Sequence, residues 1–503
     1  MPSTKKDDVF PAPPSPIPVH RFPKKGSTCT VTTASTSRSE EGEDDSDGTI
    51  TWTEAEEKKL VRKLDWCFLP TVWLMALMSW MDRSSIGNAQ LAGMGLDLDL
   101  SDDQYSMVIV VFYFGYVTCG PLSNLILSRT RPRLYLPILV GCWGLLTLSM
   151  AFVTNYTNLL MLRFSVGVFE SGLSPATIFL ISCWYRPDEQ GKRISATLSA
   201  ALLGGAFGGI ISGSAAAWLE GVNHIRGWKW LFGIEGVFTI VWATISYWLM
   251  VDFPGSESTA KRFGERGRQI AVGRVKKEGV LLGRLDGEGS LTDAVERLGK
   301  AKSIRVALSD WRVWTITVGV GLLGCSTVLA YFYPILIFEM GFESITQTQF
   351  MTIPIWIMAV ISAVLVGYFA DSFPLRRSLM MGACMGSAAV FSSLVCVIQS
   401  PHARYGLLFF MAGGVWSSIA LYLSLLAVTF SDMHPEARAF ALALPGAVGN
   451  LGNVYGAYLF PGSDMPEYFM GFGVIAGTLG AGAVLFFVFH LLLRKRRLLG
   501  VDE

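Results

Sequence analysis

Twelve apolar runs, each long enough to cross a bilayer, limit what this chain can fold into more than any other feature. A transmembrane helix needs about 20 consecutive apolar residues. Runs of that kind fall near 66–88, 104–127, 134–153, 158–182, 193–219 and 229–251, then near 312–338, 347–370, 378–398, 404–430, 436–460 and 467–493. Polar residues are gathered between them in blocks. Residues 1–64 hold 21 of the 81 Asp, Glu, Lys and Arg side chains and residues 252–310 hold another 21, so the remaining 380 residues carry only 39. A soluble chain has roughly 25% charged residues throughout, so a soluble enzyme is excluded. The net charge of +1 offers no basic surface to nucleic acid. The eight Cys are scattered singly, mostly inside apolar runs, which argues against a disulfide framework or a zinc site.

These runs predict an all-α membrane protein with twelve transmembrane helices in two six-helix halves. The divisions are a disordered N-terminal tail over 1–64, a first half over 65–251, a central loop over 252–310, a second half over 311–493 and a tail over 494–503. The start is polar and rich in Pro, Ser and acidic residues, so no signal peptide is expected. Basic residues set the orientation. Arg129, Arg131, Arg133, Arg186, Lys192, Arg193, Arg376, Arg377, Arg438 and the cluster Arg494–Arg497 lie in alternate loops and the final tail, whereas the opposite loops hold few. Both termini and the central loop are therefore expected on the cytoplasmic side.

An internal repeat supports two halves. Gly120-Pro121-Leu122-Ser123-Asn124, followed by Arg129, Arg131 and Arg133, lies after span 2; 247 residues later, Gly367-Tyr368-Phe369-Ala370-Asp371, followed by Arg376 and Arg377, lies after span 8. At the same offset, Gly205 and Gly209 of span 5 match Gly452 and Gly456 of span 11. Parallel six-helix halves with a substrate site between them are the architecture of major facilitator transporters. The loop pattern resembles that superfamily's cytoplasmic gating motif, in which an acid, a helix end and basic residues hold one face closed. Asn124, Arg129, Asp371, Arg376 and Arg377 are its candidate gating residues, with Asn124 replacing the acid in the first half.

Charges inside a bilayer are costly, by about 2.5–3.5 kcal/mol on insertion scales, and they point to function. Asp82 and Arg83 end span 1, while Arg163 and Glu170 lie in span 4. Asp82 lies sixteen residues beyond Trp66, roughly 24 Å from the inner boundary. Arg163 enters from the outer side about five residues in, roughly 8 Å deep and so at nearly the same level. Glu170 follows two turns down on the same face, near the midplane. Two acids and two bases make a neutral set when no substrate is bound. The same set also reads as a buried ion-pair cluster pinning span 1 to span 4.

The second half has no matching charges: the offset places Phe410 and Ser417 opposite Arg163 and Glu170. It offers Tyr331, Asn450 and Asn453 among its polar and aromatic candidates, the amides reading equally as substrate contacts or as helix–helix hydrogen bonds. Glu235 and Glu339 lie nearer helix ends and read as gate or interface residues.

The stretch Trp80-Met81-Asp82-Arg83-Ser84-Ser85-Ile86-Gly87-Asn88-Ala89 resembles the fungal allantoate permease family, an anion:cation symporter branch of the major facilitator superfamily. Pro121–Asn124, Arg163-Phe164 with Gly167, Glu170, Ser171 and Gly172, Trp184-Tyr185, Gly227-Trp228-Lys229-Trp230, Ile234-Glu235-Gly236 and Gly341-Phe342 also fit. The resemblance covers about 65–495, with Ser85 standing where the family usually has Asn. It implies carriage of small organic anions and vitamins such as allantoate, nicotinate, pantothenate or biotin. It also implies that Asp82 and Glu170 serve proton coupling while Arg83 and Arg163 bind substrate.

The expected function is proton-coupled uptake of such an anion by alternating access. An exporter of an anionic metabolite is the first alternative, and a non-transporting nutrient sensor or a membrane enzyme are the others. Expected partners are the small organic anion, protons and the lipid bilayer of the plasma membrane, with no nucleic acid. No cofactor or metal is expected, and the assembly is expected to be monomeric.

Overall fold

The computed structural model describes residues 52–277, 300–342, 344–430, 433 and 435–498. The expectations placed on residues 1–51, 278–299 and 499–503 lie outside the described residues. Helices α1 (Glu54–Ala89), α2 (Asp102–Arg129), α3 (Pro132–Met150), α4 (Tyr156–Glu170), α5 (Leu173–Trp184), α6 (Pro187–Trp218) and α7 (Gly227–Leu249) come first. Two helices, α8 (Glu257–Lys277) and α9 (Lys300–Ser309), lead to α10 (Trp311–Thr327), α11 (Leu329–Glu339), α12 (Ile345–Ser372), α13 (Arg377–Val397), α14 (Pro401–Thr429), α15 (Pro435–Gly456) and α16 (Phe469–Leu498). No strand occurs among the described residues. Ten of these segments are long and apolar enough to cross a membrane, counting α4–α5 and α10–α11 as single spans, and α2 and α15 stand at the positions of spans 2 and 11.

Three features depart from the sequence-based expectation. The first helix starts at Glu54, so residues 54–64 are not part of an unstructured tail. A capping box of Thr53 and Glu56 satisfies its first orphan N–H groups, and Leu60 and Leu64 are buried. Helix α8, in the stretch expected to be loop, lies against this start: Arg274, 1% exposed, reaches Glu57 at 3.1 Å and Glu189 at 2.8 Å. Spans 4 and 7 are each broken, at Ser171–Gly172 and at Val328.

Within each half the helices pack closely, α1 on α6 and α7, α3 on α7 and α2 on α4, then α10 on α15, α12 on α14 and α13 on α14 and α16. Between halves α6 packs on α12 and α15 packs on α2, two contacts that the internal repeat relates to each other. The repeat needs a correction of one residue in span 11. Gly204 and Gly208 face α1, at Trp80 and Ser84, and their structural counterparts are Gly452 and Gly456, which face α10 at Gly324 and Cys325. Gly205 and Gly209, matched at offset 247, instead face Trp356 and Thr352 of α12. Helix faces, not letters, define the repeat.

At the end of the bundle away from α8, the halves are joined. Tyr105 Oη donates to the Tyr331 carbonyl at 3.2 Å, Ser106 Oγ to the Ala457 carbonyl at 2.8 Å and Gln349 Nε2 to the Asn88 carbonyl at 2.9 Å. The backbone at Gly87 lies so close to the Tyr331 carbonyl that any Cβ would overlap it. In Gly87→Ala this end should therefore open. In purified protein with its native cysteines replaced, a cysteine introduced at Ser106 should react with maleimide at least about tenfold faster, since the overlap costs of order 1–3 kcal/mol.

Candidate functional site

The unusual residues of span 1 are placed by α1, whose last three turns turn their polar side chains away from lipid. Asp82, Arg83, Ser84, Ser85 and Asn88 are all buried there. Arg163 and Glu170, seven apart, lie on one face of α4 and point at this stretch. Asp82 is 2% exposed, Arg83 5%, and Arg163 and Glu170 1% each. At such burial an ionised group needs partners, because transfer from water is costly. The structure brings all four together.

Their pairing is specific. Arg83 Nε donates to Glu170 Oε1 at 2.5 Å, and Ser79 Oγ donates to the same oxygen. Arg83 also stacks on aromatic rings, 4.5 Å from Tyr116, 4.9 Å from Trp80 and 5.2 Å from Phe112. Such contacts suit the flat guanidinium. Arg163 lies 5.0 Å from the ring of Phe112 as well, and donates through Nη1 to the Asp82 carbonyl at 3.4 Å. Its Nε and Nη2 make no hydrogen bond among the described residues. The Asp82 carboxylate accepts from Thr147 Oγ1 at 3.3 Å.

Beside this cluster lies a cavity of about 710 Å³, running from Arg83 to Ile194 and Thr197 at the end of the bundle that carries α8. Arg83 lines it; Asp82, Arg163 and Glu170 stand behind the wall. Arg163, expected to touch substrate, is thus one layer back in this conformation. Across the cavity stand Tyr331, Asn450 and Asn453, with Trp356 and Tyr422. Tyr331 Oη shares a 2.8 Å hydrogen bond with Tyr113 Oη. Asn453 Oδ1 accepts from Thr327 at 2.9 Å, and Asn450 Nδ2 donates to the Gly446 carbonyl at 2.9 Å, so each amide already serves its own half. Among the described residues, no group of three His, Cys, Asp or Glu could hold a metal.

Glu235, expected nearer a helix end as a gate or interface residue, instead lies inside the bundle beside the cluster. It is 1% exposed, and its Oε1 lies 2.5 Å from Ser85 Oγ, within hydrogen-bonding distance. Its signal in the sequence was the polar level that Ser85 and Asp82 define on the facing helix. Ser79 was also missed, being one hydroxyl among many.

The side chains of Asn124 and Arg129 lie outside the described residues. Arg377 joins α12 to α13 and α14, through Asp371 Oδ1 at 3.2 Å, the Ala370 carbonyl at 3.3 Å and the Ser424 carbonyl at 3.3 Å. Arg376 lies 5.6 Å from the Phe373 ring.

A model of the Major Facilitator Superfamily matches residues 72–457. The MFS-type transporter cnsO of Penicillium expansum is 30% identical over 88% of this chain and 84% of its own length. The high-affinity nicotinic acid transporter of Saccharomyces cerevisiae is 26% identical over 86% of this chain and 77% of its own. In fold, the chain is similar to the partially occluded inward-open xylose transporter XylE from E. coli, with a TM-score of 0.62 at 14% identity, covering 84% of this chain and 98% of that one. The chain belongs to the Major Facilitator Superfamily. It is a multi-pass membrane transporter, not an enzyme.

Asp371 is 82% exposed on its side chain, and an exposed pair contributes about 0–1 kcal/mol. Asp371→Asn should therefore shift the protein's melting temperature less than Arg377→Ala, which also removes two carbonyl contacts. Thermal unfolding of the two purified variants in detergent checks this order.

Proposed function

We propose that this transporter takes up a small organic anion with protons, and that it falls within the allantoate permease branch of its superfamily. The anion is of the allantoate, nicotinate, pantothenate or biotin type. The carrier works as a monomer in the plasma membrane with both termini in the cytoplasm. The observation that carries this reading is the hold of Glu170 on Arg83, the cationic side chain at the cavity wall. The kinship with a nicotinic acid transporter supports the substrate class.

The physics is a competition for one guanidinium. While Glu170 is ionised, its carboxylate occupies the Nε edge that a substrate carboxylate needs. Protonation of Glu170 cancels that attraction, and a substrate carboxylate docks on Arg83 as a planar, two-pronged pair. Ser79 remains as a hydrogen-bond partner for the neutral acid. Arg163 adds positive potential from behind, and Tyr331, Asn450 and Asn453 supply polar contacts from the second half. Rocking of the halves about this midplane site then exposes the substrate to the other side.

Uptake in a transport-null host, with labelled nicotinate, pantothenate, biotin and allantoate at two pH values, tests the class. In Arg83→Lys, transport should fall about tenfold to a hundredfold with normal membrane targeting, since hydrogen bonds to charged groups are worth about 1.5–3 kcal/mol. Full activity would mean that a point charge suffices. Glu170→Gln imitates the protonated acid at nearly constant volume. It should still exchange substrate present on both sides of the membrane, yet fail to accumulate it against a gradient, because the empty carrier no longer has the ionised acid that returns to Arg83. Uphill accumulation at the wild-type level would remove Glu170 from coupling.

A further inference from the structure

With Glu235 added, the buried cluster holds three carboxyl groups, Asp82, Glu170 and Glu235, and two guanidinium groups, Arg83 and Arg163. Fully ionised, it would carry one uncompensated negative charge, and all three of its carboxyl groups are buried. Burying such a charge costs several kcal/mol even after relaxation, so buried acids in excess of their partners take up protons instead. Glu170 is in an ion pair with Arg83. The excess therefore falls on Asp82 and Glu235, which form no ion pair among the described residues; like Glu170 at Oε2, each also leaves one buried oxygen, Oδ1 and Oε2, without a hydrogen bond there.

Hydrogen bonding divides the two acids. Thr147 donates to Asp82 Oδ2, which suits a carboxylate. Ser85 has a single hydroxyl proton but two acceptors within reach, the Met81 carbonyl at 2.9 Å and Glu235 Oε1 at 2.5 Å. Both contacts are satisfied at once only if Glu235 carries the proton: the acid donates to Ser85 Oγ, and Ser85 donates to Met81. If Glu235 ionises, the Ser85 hydroxyl turns from Met81 to the carboxylate with no movement of heavy atoms. The charged groups within electrostatic reach of Glu235 are Asp82 of α1 and Arg163 of α4. Arg133, the charged residue of α3, sits in that helix's first turn, the charged residues of α6 sit in its first two turns, and Asp97 is engaged by Arg226 and Trp228.

We propose that Glu235, hydrogen-bonded to Ser85, is a second proton-binding site that keeps the cluster neutral, separate from the Glu170–Arg83 pair at the cavity. The site follows from the cluster alone, while its part in coupling rests on the proton-coupled reading above. When a monoanion displaces Glu170 from Arg83, neutrality then requires a proton on Glu170 in addition to the one on Glu235.

Infrared spectroscopy of the purified full chain in lipid, without substrate, tests the site. The wild type at neutral pH should show the carbonyl stretch of a buried, hydrogen-bonded carboxylic acid, sensitive to deuterium. Glu235→Gln should abolish that band, and Ser85→Ala should move it to higher frequency because one hydrogen bond is lost. The Ser85→Ala shift decides the matter if Glu235→Gln does not fold. A band unchanged in Glu235→Gln, or lost instead in Asp82→Asn, overturns the proposal. Because no substrate is present, the outcome is independent of the Glu170→Gln transport test, so either can fail without the other.

Discussion

Arg83 and Glu170 meet at the cavity wall, both almost wholly buried, and much of the first half is arranged to make that meeting tolerable. Charges removed from water must recover their hydration from partners in fixed positions. Ser79 supplies a second bond to the carboxylate, while Trp80, Phe112 and Tyr116 turn their ring faces to the guanidinium. Arg163 shares the Phe112 ring, so the two cations are held by one aromatic plate. The glycines of α6 let that helix approach α1 closely behind the same residues. A pair so enclosed is responsive: changing the charge of either member alters the energy of the whole cluster.

The halves divide the work unequally. The first half holds all five charges of the cluster, whereas the second presents Tyr331, Asn450, Asn453, Trp356 and Tyr422 across the cavity. A site built this way has one fixed electrostatic pole and an opposite wall of aromatic and amide groups. Charge and shape around the cavity are therefore set by different halves, and a substitution at the wall of the second half alters the space without touching the Arg83–Glu170 pair.

Much of this was legible in the sequence because membrane insertion is a one-dimensional constraint. Hydrophobic runs gave the spans, and counting 1.5 Å per residue placed Asp82 and Arg163 at one depth. Counting failed where depth along a helix and burial across it diverge. Glu235 is only eight residues from the start of α7, yet it faces Ser85 inside the bundle. The break after Glu170 left no obvious mark, since Gly172 is one glycine among 52. The helix from Glu54 was hidden by its charge, although Thr53 and Glu56 have the spacing of a capping box. The one-residue slip in the repeat arose because identical letters four apart can occupy neighbouring faces of a helix.

The close approach of Gly87 to the Tyr331 carbonyl has a consequence for leakage. A transporter must keep ions from crossing unaccompanied, and a chain of hydrogen-bonded water between the helices would give them a path. Where two backbones touch directly, no gap remains to hold such a chain. The missing side chain at Gly87 thus acts as a seal: it lets α1 and α11 close on each other by direct backbone contact.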